Sequence, residues 1–497
     1  MPVEMIWNVR SAQHHDRHVS GWSIWGVHPY VRCGSGFNSH GPNSQAMHDR
    51  DTFTLAAAGD AILNRRLRIF DDAQFRTIVE VVRDADLSVV NLETLLHEYE
   101  GYPWANAPGT YMQSPPWVAD ELTWAGFNAF ATATNHTLDY SHGGIEATIR
   151  ELKERDIPFA GVGKNLTRAR APAYIDTPAG RGALISVCST ITPGSIAGEV
   201  RPEVGGRPGI APLRLETRYQ LPDEMLDMVE SISERLGLEA IKDHHAELGF
   251  PIDGHEDDVF RLFTLADGDH PAFISGGEFR IDRHPNDSDL AAVRERIHDA
   301  TRQADWVVVS VHAHEGSEGR SNDHSVPDFL ESFARACVDE GADAVVGHGP
   351  HVLRGIEVYD GAPIFYSLGN MFMQNETVEF IPAEMYDRYG LDETASPADV
   401  FDARVFEENG DRTGFLGDSA FWESTLPVCE FNTETRALER VRLYPLDLGY
   451  ELPRSRRGRP VRAVDERATK IFDDLADLSE PYGTDVRIED EYALIEV

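Results

Sequence analysis

One stretch, residues 344–372, constrains the chain more than any other. It reads AVVGHGPHVLRGIEVYDGAPIFYSLGNMF. Ala344, Val345 and Val346 have the composition of a buried strand, and the run stops at Gly347. His348 and His351 follow, separated by Gly349 and Pro350, and a second apolar run, 362–368, closes on Gly369-Asn370. Histidines just past the C-terminal end of a strand stand at the edge where open α/β sheets place their ligands. The glycines let the backbone turn tightly and approach whatever the imidazoles hold. Taken alone, the stretch is equally a turn with two solvated histidines, so the rest of the chain has to decide.

From residue 52 onward the pattern is strand, loop, helix, repeated. Short apolar strands are expected at 52–58, 87–92, 129–133, 159–162, 183–189 and 306–311. Helices are expected at 72–84, 117–125, 143–155 and 327–340; in the first, Phe75, Ile78, Val79 and Val82 fall on one face. Such alternation predicts an α/β fold with a mostly parallel sheet covered on both sides. No internal repeat interrupts it.

Five of these strands end in residues that bind metals. The ends carry Asp60; Asn91 with Glu93; Asn135 with His136; His312 with His314 and Glu315; and His348 with His351. In a parallel sheet these ends lie on one side. Each has an ordinary explanation as a cap, a turn or a satisfied core histidine, but five such coincidences on one edge do not. Mixed carboxylate, carboxamide and imidazole donors suit zinc, manganese or iron and argue against calcium or magnesium alone. One or two divalent transition-metal ions are expected; two, about 3.5–4 Å apart, would polarise a substrate oxygen and supply a hydroxide nucleophile.

The ordered series Ala58-Gly59-Asp60, Asn91-Leu92-Glu93-Thr94, Thr134 to Tyr140 (TNHTLDY), Val309-Ser310-Val311-His312, Gly347 to Leu353 (GHGPHVL) and Ser367-Leu368-Gly369-Asn370 resembles the CapA family. These are capsule proteins linked to poly-γ-glutamate synthesis, with a calcineurin-like metallophosphoesterase fold. The match runs over residues 52–372. Arg207-Pro208-Gly209 and Pro212-Leu213-Arg214 also resemble the family. Two departures stand out: Thr134 replaces the usual Asn, and His312-Ala313-His314-Glu315-Gly316 replaces the usual His-Trp-Gly segment.

The resemblance implies a four-layered α/β/β/α metallophosphatase-like sandwich. By it, Asp60, Glu93, Asn135, His312, His348 and His351 are metal ligands. His136 is a general acid or transition-state stabiliser, oriented by Asp139, and Asn91 orients a ligand or bound water. Arg65 or its neighbour Arg66 would bind a carboxylate or phosphate, with His314 at the pocket edge on the substrate side. The partner implied is poly-γ-glutamate or another anionic substrate. Phosphate-ester and peptide-bond chemistry both stay open, as does a non-catalytic assembly factor with a structural metal.

Composition excludes several classes. The 497 residues hold 84 acidic and 45 basic side chains, a net charge of −39. That excess repels nucleic acid and anionic membranes. Only four basic residues are lysine, the other 41 being arginine. Near-molar salt, which shortens the Debye length to about 3 Å, would screen the repulsion, so a halophilic source is expected. The four cysteines are far apart with no CxxC pair, no run of 18 apolar residues occurs, and no secretory signal is visible. A reducing, cytoplasmic setting is expected.

The organisation expected is a disordered or non-native extension over 1–50, with Met47 as the true start, and a main domain over 51–450. The main domain carries an inserted subdomain over 193–301 and an acidic loop or lid over 375–420. A linker, helix and tail fill 451–497.

Overall fold

The computed structural model describes residues 51–107, 109–250, 258–262, 271–407 and 409–497. The expectation for 1–50 falls on residues outside these.

Two sheets face each other. In the first, Thr52–Ile62 is central. Leu87–Leu92, Ala129–Ala131 and Phe159–Ala160 follow in parallel on one side. Glu423–Asn432, Leu438–Asp447 and Ala493–Glu496 follow antiparallel on the other. In the second, Trp306–His312 lies between the parallel strands Gly180–Cys188 and Ala344–His348. Ala362–Phe365 extends this sheet, and Ile356–Tyr359 and Ala173–Thr177 form its antiparallel edges.

The sequence reads as continuous apolar runs because the central strands are covered on both faces. Phe53, Leu55 and Ala57 point to the second sheet, where they meet Trp306, Val308, Ala344 and Val346. Phe53 and Trp306 stack at 4.6 Å across the interface. Ala56 and Ala58 point the other way, toward Phe75 and Ile78 of the helix Ala73–Asp84 and Leu122 of Val118–Ala125. On the far face of the second sheet, Val307, Val309 and Val311 meet Ile297 of Asp287–Thr301 and Phe333 of Asp328–Asp339. The result is four layers, α/β/β/α.

Three boundaries differ from the sequence reading. The helix Asp287–Thr301, placed inside the insertion, buries Val293, Ile297 and Ala300 in the main core. The insertion proper carries its own four-stranded sheet and the helices Asp223–Leu236 and Leu238–Glu247. Residues 375–420 are not a loop. They form the helices Ala383–Arg388 and Pro397–Val405, the latter started by a Ser396–Asp399 capping box and Pro397 at its first turn. Val400, Phe401 and Val405 are buried there; their spacing was hidden among acidic residues. Residues 451–460 are not a linker either. Arg457 is buried in a pair with Glu376 and lies over the Trp422 ring at 4.6 Å. The C-terminal helix Asp465–Ser479 adds Ile471, Phe472 and Leu475 to the core between the sheets.

Register positions the strand ends. Asp60 pairs with Asn91 on one neighbour and with Asn370 on the other. In the second sheet His312 pairs with His348. Both sheets therefore present chemistry-bearing side chains at matching ends. Gly59 permits this: a Cβ there would sit 1.9 Å from the carbonyl oxygen of Gly369, whose bond to the Asp60 amide holds the strand end.

Candidate metal centre

The strand-end residues converge. Asp60 accepts from the Asn91 amide (2.8 Å) and, through its other oxygen, from the backbone N–H of Gly349 (3.1 Å). His351 Nδ1 lies 3.2 Å from Asp60, His348 Nδ1 3.7 Å and His312 Nδ1 3.8 Å. Around Glu93 Oε1 stand His351 Nε2 at 3.6 Å, His312 Nε2 at 3.7 Å, His314 Nε2 at 3.9 Å and His136 Nε2 at 4.0 Å. Asn135 Oδ1 is 3.0 Å from His312 Nε2. Donors sharing an ion with bonds of about 2.0–2.2 Å stand about 3–4 Å apart, which is the spacing here.

A fit test comes from Glu93. It is wholly buried and neither carboxylate oxygen has a hydrogen-bond partner. An ionised carboxylate buried so costs several kcal/mol even after relaxation, more than a buried neutral polar group, unless something cationic compensates it or it takes up a proton. Three carboxylate and imidazole groups can each hold a divalent ion: Asp60, His312 and His348; Glu93, His312 and His314; Asp60, Glu93 and His351. The residues fit a metal.

Electrostatics agree. Burial, with the charge of Asp60, raises the Glu93 carboxyl well above its ordinary value. Burial would raise Asp60 too, but its bond to His351 and the field of His351, His312 and His348 outweigh it and hold it below the carboxylate range. Burial drives His312 well below its ordinary value, His314 down to about 3 and His348 to about 4. His312, His314 and His348 are thus held toward the neutral form that ligands need.

Groups behind the cluster fix each ring. Ser310 Oγ bonds His348 Nε2 (2.5 Å), leaving Nδ1 toward Asp60. Asn370 Oδ1 lies 2.9 Å from His351 Nδ1, and its amide donates to the carbonyls of His351 and Phe421. His351 itself has φ 62°, a left-handed backbone unusual for a residue with a side chain, and it arises where the chain turns the ring back into the cluster. His136 Nδ1 bonds Asp139 Oδ2 (2.6 Å), which also accepts from the Met112 amide. Asp139 is buried and its carboxyl is raised by that burial. Ser310 was findable, since it stands two residues before His312 on the same strand face. Asn370 lay in a family segment without an assigned role, and nothing in the sequence pointed to Asn322, which bonds His314.

Two expected substrate residues are placed otherwise. Arg65 donates to the carbonyls of Ser455 and Arg457, so its guanidinium faces that turn and not the cluster. The chain continues as strand to Ile62 and then turns toward Gln374, whose side-chain oxygen accepts from the Arg65 amide. Arg66 pairs with the buried Glu121. His314 stands inside the cluster, its Nε2 3.0 Å from His312 Nε2.

Fold and site together define a four-layered α/β protein with a buried cluster of histidines and carboxylates between its sheets that could hold a metal. Residues 54–375 match the family described as bacterial capsule synthesis protein PGA_cap, and the chain belongs to it. It is 35% identical over 459 residues to the uncharacterized protein y4sH of Sinorhizobium fredii, covering 91% of this chain and 95% of that one. It is 23% identical over 329 residues to the capsule biosynthesis protein CapA of Bacillus anthracis, covering 65% of this chain and 60% of that one. A solved structure described as a novel phosphatase of Mycoplasma pneumoniae overlaps 80% of this chain and 96% of its own at 10% identity. Its TM-score of 0.37 adds nothing to the fold described above. No helix among the described residues is long and apolar enough to cross a membrane.

Proposed function

We propose that this protein is a metal-dependent hydrolase of capsule biosynthesis, with a calcineurin-like dinuclear site acting on poly-γ-glutamate or another anionic polymer. The observation that carries the reading is the orphaned Glu93 carboxylate amid inward-facing imidazoles. Asp60, Glu93, Asn135, His312, His348 and His351 hold the metal, and their mixed N and O donors favour manganese, zinc or iron. Bound there, a divalent ion supplies charge to polarise a substrate oxygen and to acidify a water.

The protein's own residues do the rest. His136 is at the mouth: it is 8% exposed, while Asp60, Glu93 and His312 are 0% exposed. With Nδ1–H committed to Asp139, His136 presents Nε2 toward Glu93; once that nitrogen is protonated as well, the imidazolium can pass its Nε2 proton to a leaving group and return to the neutral ring. Asn91 positions Asp60 from behind. The excess of acid over base supports work in concentrated salt.

Metal analysis of the purified chain, then assays on bis(p-nitrophenyl) phosphate and on poly-γ-glutamate, test the reading. Metal with turnover of either substrate supports it; a chain that holds metal and turns over neither supports a second reading, a capsule assembly factor with a structural ion. The near-complete burial of the cluster favours that second reading, because structural sites are closed by protein.

A further inference from the structure

His314 replaces part of a segment that in the family reads differently, and its setting is more elaborate than a substrate contact requires. Its Nδ1 lies 2.7 Å from Asn322 Oδ1. An amide oxygen only accepts, so Nδ1 carries the proton and the Nε2 lone pair faces inward. The backbone is pinned as well. The His314 amide donates to Thr190 Oγ1 (2.9 Å), and its carbonyl accepts from the Asn322 amide (3.0 Å). Arg354, wholly buried, donates to the carbonyls on either side, Ala313 (3.5 Å) and Glu315 (2.8 Å), and to that of Asp323 (3.1 Å). Next door, Ser189 and Thr190 donate to the Glu315 carboxylate. The ring is held before any substrate arrives.

Glu93, His312 and His314 lie close enough together to share one ion, and Asn135 stands beside His312. His314 Nε2 and Asn135 Oδ1 each lie 3.0 Å from His312 Nε2, and Glu93 Oε1 is 3.7 Å from His312 Nε2 and 3.9 Å from His314 Nε2. A neutral imidazole has one lone pair. If His312 gives Nε2 to this group, Nδ1 is not free for the other, which keeps Asp60, His348 through Nδ1, and His351 through Nε2, because the His351 Nδ1–H faces Asn370 Oδ1; Glu93 lies within reach of both groups.

We propose that His314 is a metal ligand, and that the centre holds two ions in unequal settings. One is enclosed by Glu93, Asn135, His312 and His314, a full set of four protein donors. The other is held by Asp60, His348 and His351 and keeps an open position, as catalytic ions do. This rests on the metal reading above and divides the labour within it: the enclosed ion organises the site, and the open one meets substrate.

The test is a titration of the metal-stripped full chain with Co²⁺, read by visible absorption and by equilibrium dialysis. The wild type takes up two equivalents. His314→Ala keeps one at wild-type affinity, binds the second at least about tenfold more weakly, and loses the absorption of the enclosed ion. Asn322→Ala weakens that same ion by about tenfold, through loss of the ring's anchor. His314→Asp, which restores a donor, recovers the second equivalent. If His314→Ala does not fold by circular dichroism, Asn322→Ala and His314→Asp carry the comparison. Two equivalents of unchanged affinity in His314→Ala, or in Asn322→Ala where the alanine variant is unfolded, overturn the role of His314 while leaving the metal reading intact. A wild-type chain that takes up no Co²⁺ overturns both.

Discussion

The side-chain amide of Asn91, on one sheet, lies 3.3 Å from Nδ1 of His312, on the other, across 221 residues of sequence. The same amide nitrogen bonds Asp60. The site is therefore a seam: Asp60, Glu93, Asn135 and His136 enter from the first sheet and His312, His314, His348 and His351 from the second, so neither sheet holds the whole candidate ligand set.

Removing Asp60 or His351 should empty one side of the seam without unfolding the layers. In Asp60→Ala or His351→Ala, elemental analysis should find about half of the wild-type metal, the ion enclosed by Glu93, Asn135, His312 and His314 staying bound. Far-ultraviolet circular dichroism of the metal-free chains should match wild type. Full metal content in His351→Ala would sink its role as a ligand.

Asp139→Asn should separate orientation of His136 from metal binding. Metal content should stay at wild-type level while kcat on an activated phosphodiester falls by about 10²-fold, the scale of losing a positioned acid. An unchanged kcat would remove His136 from the chemistry.

Metal-free stability should peak near pH 6.5. His312, His314 and His348 have folded values below the ordinary imidazole value of about 6.5. Below that pH the unfolded chain binds more protons, so stability falls as the pH drops toward about 4. Glu93 works in the opposite sense. Its folded value is raised, so above about 4.5 the unfolded chain loses a proton that the folded one keeps, and stability falls as pH rises. Three imidazoles outweigh the raised carboxyls of Glu93 and Asp139 below about 6.5; above it Glu93, raised well above its ordinary value, acts without them. Urea melts of the stripped protein from pH 4.5 to 8 check this, and Glu93→Gln should flatten the alkaline limb by up to about 1.4 kcal/mol per pH unit.

Gly59→Ala should be severely destabilising. The new Cβ would meet backbone, the Gly369 carbonyl at 1.9 Å, and backbone cannot swing aside. A cost at or above the upper end of the about 1–3 kcal/mol typical of overpacking is expected, seen as a lowered urea midpoint. A midpoint within error of wild type would mean the strand end is looser than described.

Salt should stabilise the whole chain. Raising ionic strength from about 0.1 M to 1 M shortens the Debye length from about 10 Å to about 3 Å and screens a net charge of −39. The melting temperature should climb steadily over that range with KCl. A flat profile would remove the salt-adaptation reading.

The sequence by itself determined the alternation of strands and helices, and with it which residues stand at strand ends, because a strand's length and a turn's glycine are written locally. Asp60, Glu93, Asn135, His312, His348 and His351 were legible for that reason. It also marked helix faces wherever apolar residues recurred cleanly, as in Phe75, Ile78, Val79 and Val82. It failed where that signal was diluted: Val400, Phe401 and Val405 sit among acids, and the buried Arg457–Glu376 pair resembles two solvated charges in a linker. Only the tertiary structure decided which strands became neighbours, and so which lone pairs meet. Arg65 and His314 show the limit. One was expected at the site and is tied to the Ser455–Arg457 turn; the other was expected at the margin and is held by Asn322 and Arg354 against His312. A side chain's direction depends on partners from distant segments, and spacing along one strand carries no information about them.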